Sequence, residues 1–456
     1  MSTTSTKCVN LLLPSIVLCT TLHGVAQDDY ALFRISIRES TGGLGFGINE
    51  LGHVAGKQSV FGGSSPSYWW LEDGILLGTF GGPWGEAADV NNRGVIVGSA
   101  SIVSPYPFDH PFVWYDGAML DLGTLGGDQG WAYAVNNRNQ VVGRSQYGDP
   151  WDVQAHGYVW HDGVMTELPL IAGCCSSADD INDQGVIVGR TTFNEDNLYS
   201  AAVIWYNQRV YQIGPDNFNS RAYAINEHMD VVGWSDEGYR RHAFLWSDNH
   251  MLNIDTHPEM EGSWAEDINN LGQVVGALDE SEFSWITFGF LWQADTGMTL
   301  LNDFIPPKSY FKSLGSGQGI NDFGQITGDG YYDEEQVRQY GYLLSPVYPT
   351  FMLDQPTPGT AGEVNTITAR NLTPGTKVYF IYGMGGGGSI IPRCEIVEAA
   401  LQIDDPVIAG TAVADAAGVA TLVGKVPSKW AGQEVLIQGL VSSECDISNL
   451  VVVKFE

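Results

Sequence analysis

Apolar residues in this chain gather in short runs, and glycine or a polar turn residue interrupts each run before it can become a helix face. The stretch from Glu86 to Leu125 shows the pattern. "EAADVN", "VIVGSA", "PFVWY" and "AMLDLGTL" are four strand-like pieces divided by Asn, Gly, Pro and Asp. No such unit holds a Gly-free stretch of helical periodicity, so β-strands are predicted throughout.

The unit then repeats. "INDQGVIVGR", residues 181 to 190, has counterparts aligned on Asn49, Asn91, Asn136, Asn182, Asn226, Asn269 and Asn321, spaced 42 to 52 residues apart. Seven units of four short strands at that spacing predict the blades of a β-propeller. Asn at the start of the turn can bond its own backbone, and Gly three residues later can take the left-handed conformation that a Cβ disfavours. That Gly is Gly52, Gly94, Gly185, Gly272 and Gly324, with Asn139 in the third unit and Met229 in the fifth. Asn tolerates the conformation; Met does not, so the fifth turn is expected to be strained or differently shaped. A second Gly closes every copy (Gly56, Gly98, Gly143, Gly189, Gly233, Gly276, Gly328), and inside a strand it predicts a bulge or a close backbone approach. Small residues three before the repeat Ile or Val mark the innermost strand: Gly45, Ala87, Ala132, Ala178, Ala222, Ala265 and Gly317. The third piece ends at Trp70, Trp114, Trp160, Trp205, Trp246, Trp292 and, in the last unit, Leu344. One large apolar group per blade reads as core between blades rather than as a stacking platform.

The fourth piece appears between units six times, and the missing one stands ahead of the first unit as "ALFRISI", Ala31 to Ile37. That strand is predicted to complete the last blade beside Tyr340 to Leu344, which leaves no open sheet edge. "HAFLW" at His242 to Trp246, "HPFVW" at His110, "HGYVW" at His156 and "DLGTLGG" from Asp121 resemble the HAF-type extracellular repeat, over about residues 30 to 345. The resemblance implies an exported bacterial protein and brings no catalytic residue with it.

Beyond Leu344 the pattern changes. "SPVYPTFMLDQPTPG" reads as a linker, and "EVNTITA", "KVYFIYG", "VIAGTAVAD", "VATLVGKV", "VLIQGLV" and "NLVVVKF" as strands of a small antiparallel, Ig-like β-sandwich. "GMGGGGS" at Gly383 lacks the helix start and Lys of a phosphate cradle, and reads as a flexible hairpin tip. The expected division is a signal peptide over 1–26, an all-β seven-bladed β-propeller over 27–345 and the sandwich over 346–456. The leader consists of Lys7, the apolar "VNLLLPSIVLCTTL" and "GVA" ending at Ala26. Its apolar part is too short for a bilayer, so no membrane span is expected.

Composition narrows the function classes. Of 456 residues, Lys and Arg number 21 against 53 Asp and Glu, for a formal charge of −32. A surface that acidic repels phosphate backbones, so nucleic acid is not an expected partner. Cys8 and Cys19 leave with the signal. In an oxidising compartment Cys394 and Cys445 are expected to pair, while Cys174 and Cys175 are either a vicinal bridge or two thiols. No nucleophile elbow, H-E-x-x-H or paired C-x-x-C motif occurs, so no catalytic residue is assigned. Asp89, Asp180 and Asp267 precede the repeat Ile or Val in blades two, four and six, in a D-x-N-x-x-G string. The string departs from an EF-hand loop, since Ala100, Thr191 and Leu278 stand where Glu is required. These Asp either bond nearby backbone or, facing one channel together, hold a cation, for which Ca²⁺ is the natural choice. The sequence thus predicts a secreted, monomeric, non-enzymatic binding, adhesion or envelope-associated protein with an extracellular glycan or protein ligand. A carbohydrate-active hydrolase or lyase on the same scaffold is the alternative.

Overall fold

The computed structural model of the chain describes residues 5–8, 19–22, 30–35, 42–70, 73–103, 108–148, 154–192, 199–238, 240–255, 257, 260–279, 286–332, 339–347, 349–390, 400–443 and 445–456. The fold is all-β. Seven four-stranded antiparallel sheets follow one another along the chain, one for each repeat. The fourth is representative, with strands Ser176–Ile181, Ile187–Thr192, Ser200–Tyr206 and Arg209–Gln212 in that spatial order. The seventh borrows its fourth strand from the start of the chain: Tyr30–Ile35 pairs with Gln339–Pro346, Leu32 opposite Leu344. Ser36 and Ile37, also expected in that strand, lie outside the described residues, as does most of the leader.

Each repeat turn is built on its Asn. Asn182 Oδ1 accepts the backbone N–H of Gln184 and Val186, and Gly185 N donates back to Asn182 O at 3.0 Å. The fifth turn keeps this geometry, because Met229 adopts the left-handed conformation itself, at φ 71°. Its turn hydrogen bond is the longest of the set, 3.3 Å, so the strain anticipated for Met229 is present without a change of shape.

The second Gly of each repeat has a steric reason. A Cβ at Gly56, Gly98, Gly143, Gly189, Gly233, Gly276 or Gly328 would lie 1.9 to 2.1 Å from a carbonyl oxygen of the neighbouring first strand. Just beyond that close approach the first strand carries a register shift, as between Ala132 and Ala134 or Ala178 and Asp180. One residue is thereby left over in each first strand, which is the count of a β-bulge.

Apolar clusters join neighbouring sheets through their facing side chains. Val142 and Ala134 meet Ile181 and Trp205 between the third and fourth sheets; Val188 and Ile204 meet Ile225 and Phe244 between the fourth and fifth. The last sheet meets the first through Phe33 and Leu343 against Val54 and Trp69. The Trp stripe is therefore core, with one correction. Val54 pairs with Trp69, so Trp69 and not Trp70 is the first repeat's equivalent of Trp114 and Trp205.

All six strands expected after Leu344 form. A three-stranded and a five-stranded sheet share a core that includes Phe351, Ile367, Val378, Phe380, Val435 and Phe455. Two expectations are corrected. The stretch read as a linker is buried at Val347, Phe351 and Leu353. The Gly run is also no free tip: Gly385–Ile390 pairs with Ala400–Asp404, and this ribbon packs against Tyr30–Ile35. A Cβ on Gly388 would lie 2.6 Å from the Phe33 ring, and one on Gly386 would lie 2.0 Å from Pro307 O. The run is glycine because two backbones and an aromatic ring close on it.

Two glycines of the second repeat separate conformational from steric cost. Gly94, at φ 75°, has nothing within 4 Å of its missing Cβ, whereas a Cβ on Gly98 would meet Glu86 O at 2.1 Å. Gly94→Ala is expected to cost about 1 kcal/mol from backbone conformation alone, and Gly98→Ala about 3 kcal/mol or more from overpacking. Chemical denaturation of the two variants measures the difference; equal losses would contradict the packing described.

Candidate functional site

The first strands of the seven sheets lie side by side, neighbour on neighbour, and the last of them packs on the first. At their turn ends two sets of hydrogen bonds link the repeats. In the inner set each Asn Nδ2 donates to the backbone oxygen of the next repeat's Asn: Asn49 to Asn91, Asn91 to Asn136, and onward to Asn321, which donates to Asn49. All seven lie between 2.9 and 3.2 Å. In the outer set the residue after each Asn donates its N–H to the side chain of its counterpart. Glu50 N meets Asn92, Asp183 N meets Glu227, and Asp322 N returns to Glu50. A cavity of about 190 Å³ lies within these sets.

Asp89, Asp180 and Asp267 sit beside this cavity end but turn sideways. Asp89 accepts from Val90 N at 2.7 Å and from Val135 N of the next sheet at 2.9 Å. Asp180 spans Ile181 and Ile225, and Asp267 spans Ile268 and Ile320, in the same way. Both oxygens of each carboxylate thus hold backbone N–H groups. Among the described residues no three His, Cys, Asp or Glu side chains gather as a ligand set. The carboxylates staple sheets instead of forming the calcium ligand set expected from the sequence, although they stay near enough across the cavity end to repel one another. Burial pushes all three carboxyls up, Asp180 to about 7, and this repulsion adds to it for Asp180 and Asp267, against the pull of the backbone hydrogen bonds.

Farther from the turns, the same strands carry a different surface. The positions two and four before the repeat Ile or Val bracket the buried small residue and change from copy to copy. The nearer position holds Phe46, Ala88, Tyr133, Asp179, Tyr223, Glu266 and Gln318, at or beside the register shift. A bulge re-aims the side chain it carries, and here it carries chemistry. Trp131 and Tyr133 of the third sheet, Asp179 of the fourth, Arg221 and Tyr223 of the fifth, and Trp264 and Glu266 of the sixth form one cluster. Their second strands add Arg144 opposite Trp131, Arg190 opposite Ser177 and Trp234 opposite Arg221.

The geometry of this cluster is specific. Arg221 clasps Asp179 across the two sheets through Nε and Nη2, at 2.7 and 2.8 Å, and Ser177 Oγ donates to the same carboxylate at 2.6 Å. Guanidinium planes lie over aromatic faces, Arg144 over Trp131 and Arg221 over Tyr223, each 4.6 Å from the ring centre. Burial works against the Arg221 charge, but Asp179 outweighs it and holds the group above its ordinary range. Burial pushes the Glu266 carboxyl up to about 7, although Trp264 Nε1 donates to it at 2.7 Å and Arg221 and Arg241 attract it. It also pushes the Tyr133 hydroxyl up to about 12. Tyr133 feels Arg221, two sheets away, and Glu266 feels Asp179, also two sheets away. Both pairs are thus within electrostatic reach of one another across an intervening sheet.

The other sequence candidates have structural uses or lie outside the description. His110 and His242 bond Asp121 and Asp255 near the end of the adjoining fourth strand at 2.8 and 2.9 Å, and His156 bonds Glu167. Cys174 and Cys175 form a vicinal disulfide at the head of the fourth sheet's first strand, next to Ser177 and Arg190. Cys445 is disulfide-bonded, and Cys394 lies outside the described residues. The guanidinium and aromatic cluster was missed from sequence, yet a signal for it existed. Around a repeated small residue, two alternate positions hold five or more residue types over the seven copies.

Residues 174–342 match a protein family described as "Protein of unknown function (DUF3466)", a span that begins at the vicinal cysteines and ends in the seventh sheet. No curated protein matches the chain. Among solved structures, a copper-bound fungal alcohol oxidase of the AA5 family is similar over 94% of this chain and 100% of its own, at 11% identity and a TM-score of 0.40. A likeness that low carries no argument about fold or activity.

The buried Asp staples generate a pH dependence. Their carboxyls bind protons more tightly folded than unfolded, so the contribution favours folding at acid pH. It is lost as pH rises from the ordinary Asp value near 4 through about 7 for Asp180. The melting temperature is expected to fall more steeply between pH 5 and 7.5 in the wild type than in Asp180→Asn. Parallel slopes for the two proteins would contradict the assignment.

Proposed function

We infer that the seven sheets are the blades of a closed β-propeller, and that the C-terminal sheets form an accessory sandwich docked on its closing strand. The chain is a secreted, non-enzymatic binding module whose ligand site is the cluster on the third to sixth first strands. One observation carries the reading. The turn Asn and the second Gly, which the scaffold needs, are the same residue in all seven repeats. The bulged position, which the scaffold leaves free, holds Tyr133, Asp179, Tyr223 and Glu266 in four consecutive ones. A surface that is constant in backbone and diverse in side chain suits recognition of an asymmetric ligand. Aromatic faces beside fixed hydrogen-bonding groups suit a saccharide or a peptide side chain. The vicinal disulfide and the disulfide at Cys445 support an oxidising compartment.

The hydrolase or lyase reading is favoured by the raised Glu266 carboxyl, which could serve as a general acid beside Asp179. Against it, Asp179 is already clasped by Arg221, which removes the free second carboxylate that such chemistry requires.

A glycan array probed with the mature chain, Trp131→Ala and Trp264→Ala tests the binding reading. The wild type is expected to bind at least one extracellular polysaccharide class without releasing reducing ends, and each variant is expected to lose about tenfold or more. Ligands retained by both variants would move the site elsewhere; product release that Glu266→Gln abolishes would establish the enzyme instead.

A further inference from the structure

The cluster holds more positive charge than the protein compensates. Four of the chain's 21 basic residues meet in it, Arg144, Arg190 and Arg221 together with Arg241, which lies over Trp234 and Trp264, in a protein whose formal charge is −32. Arg221 has its partner in Asp179. Among the described residues, no carboxylate lies within ion-pairing distance of Arg144 or Arg190, and neither side chain donates a hydrogen bond to protein. Among the described residues the buried Nε of Arg144 has no hydrogen-bond partner. An unpaired donor buried away from water is costly, and each such group in a folded protein calls for a reason. Arg144, Arg190 and Arg221 are also close enough to repel one another. The fold therefore keeps like charges together, and Arg144 and Arg190 have no ion pair of their own among the described residues, since Asp179, which attracts Arg190, is clasped by Arg221.

The orientation of Arg144 says what would relieve this. Its guanidinium carbon stands 4.6 Å from the centre of the Trp131 ring, so the indole covers one side of the group and leaves N–H donors for a ligand. A planar fork of donors held against a ring is matched to an oxyanion with two acceptor oxygens, and it loses little freedom on binding one. Arg190 stands in the adjoining sheet at the corresponding register, opposite Ser177, whose hydroxyl is engaged with Asp179. Tyr133 and Tyr223 flank the pair from the third and fifth sheets.

We propose that Arg144 and Arg190 form a site for an oxyanion group, a carboxylate or a sulfate or phosphate, borne by the ligand between the aromatic side chains of the third to fifth sheets. The proposal deepens the binding reading above and rests on it for the identity of the site. The anion replaces the missing counter-ions, takes the free Arg144 Nε–H, and leaves the Arg221–Asp179 clasp intact. A neutral ligand leaves both guanidiniums uncompensated, so the site discriminates against it. Lys at either position supplies charge without the fork.

Isothermal titration of the disulfide-intact mature chain tests this, with sodium sulfate, sodium phosphate, D-glucuronate and D-glucose as probes at constant ionic strength. At least one oxyanion is expected to bind ten times more tightly than glucose, and Arg144→Gln and Arg190→Gln are each expected to weaken it about tenfold. Arg144→Lys restores less than half of the lost affinity in free-energy terms. Preference for glucuronate identifies a carboxylate on a ring; preference for sulfate or phosphate identifies an ester or free oxoanion. Unchanged melting curves for the Gln variants exclude unfolding as the cause, and if one variant fails to fold, the other decides. Absence of oxyanion binding to the folded wild type, or wild-type affinity in both Gln variants, would overturn the proposal. Oxyanion binding that survives Trp131→Ala and Trp264→Ala, with no polysaccharide on the array, would uphold this site and sink the binding-module reading. A neutral polysaccharide lost in those two variants, with no oxyanion bound, would do the reverse.

Discussion

The rest of the structure depends on an asparagine that serves two masters. In every repeat its carbonyl oxygen closes the local turn, while its amide nitrogen reaches the backbone of the next repeat. Asp could make the turn but lacks the donor, and Ser lacks the reach. The Asn is buried, so each of these bonds replaces water that is absent, and losing one leaves an unpaired buried group at a cost of about 1–3 kcal/mol. Because the same contact fixes both the turn and its neighbour, the repeats are locked in register at one end. The apolar clusters that include Trp205, Trp292 and their equivalents then fill the wedge between sheets.

Once that end is fixed, the first strands can carry unlike residues without disturbing the frame. The Gly that approaches a carbonyl and the bulge beyond it are repeated, and the side chain at the bulge is free to differ. Aromatics and carboxylates accumulate on four adjoining first strands, with Arg144 and Arg190 added from the second strands, while the turn end holds backbone-directed Asp and Asn. One end of the assembly is used for cohesion. The other carries the unpaired Arg144 Nε, and the proposed binding is assigned to it.

Much of this was legible in the chain because repetition exposes physical necessity. The Asn turn, the second Gly, the small inner residue and the borrowed strand at Ala31 each follow from a rule that any one copy states and seven copies confirm. What escaped notice escaped for physical reasons. Trp69 and Trp70 are adjacent, and only the pairing with Val54 tells which one faces the core. Asp89, Asp180 and Asp267 could point along the axis or sideways, and the sideways choice depends on N–H groups one repeat away. The glycines after Met384 look flexible until Phe33, some 350 residues earlier, is laid against them. The arginine site escaped for another reason: Arg144 and Arg190 both follow the second Gly of their repeats, in "VVGR" and "IVGR", and nothing local tells which carboxylates the fold brings near them.

That docking of the C-terminal ribbon on Tyr30–Ile35 ties both ends of the chain to the seam between the seventh and first sheets. Gln402 Nε2 donates to Tyr30 O, and Ile403 and Leu401 share a cluster with Phe33, Val54 and Trp69. The seam is thus where closure is decided. Spin labels at Leu51 and Phe323, both exposed on turns of the first and seventh repeats, measure it directly by pulsed electron resonance. Closure predicts a separation equal to that between labels at Leu51 and Arg93, on two consecutive repeats. A Leu51–Phe323 distance much longer than the Leu51–Arg93 distance would mean an open arc and would contradict the account.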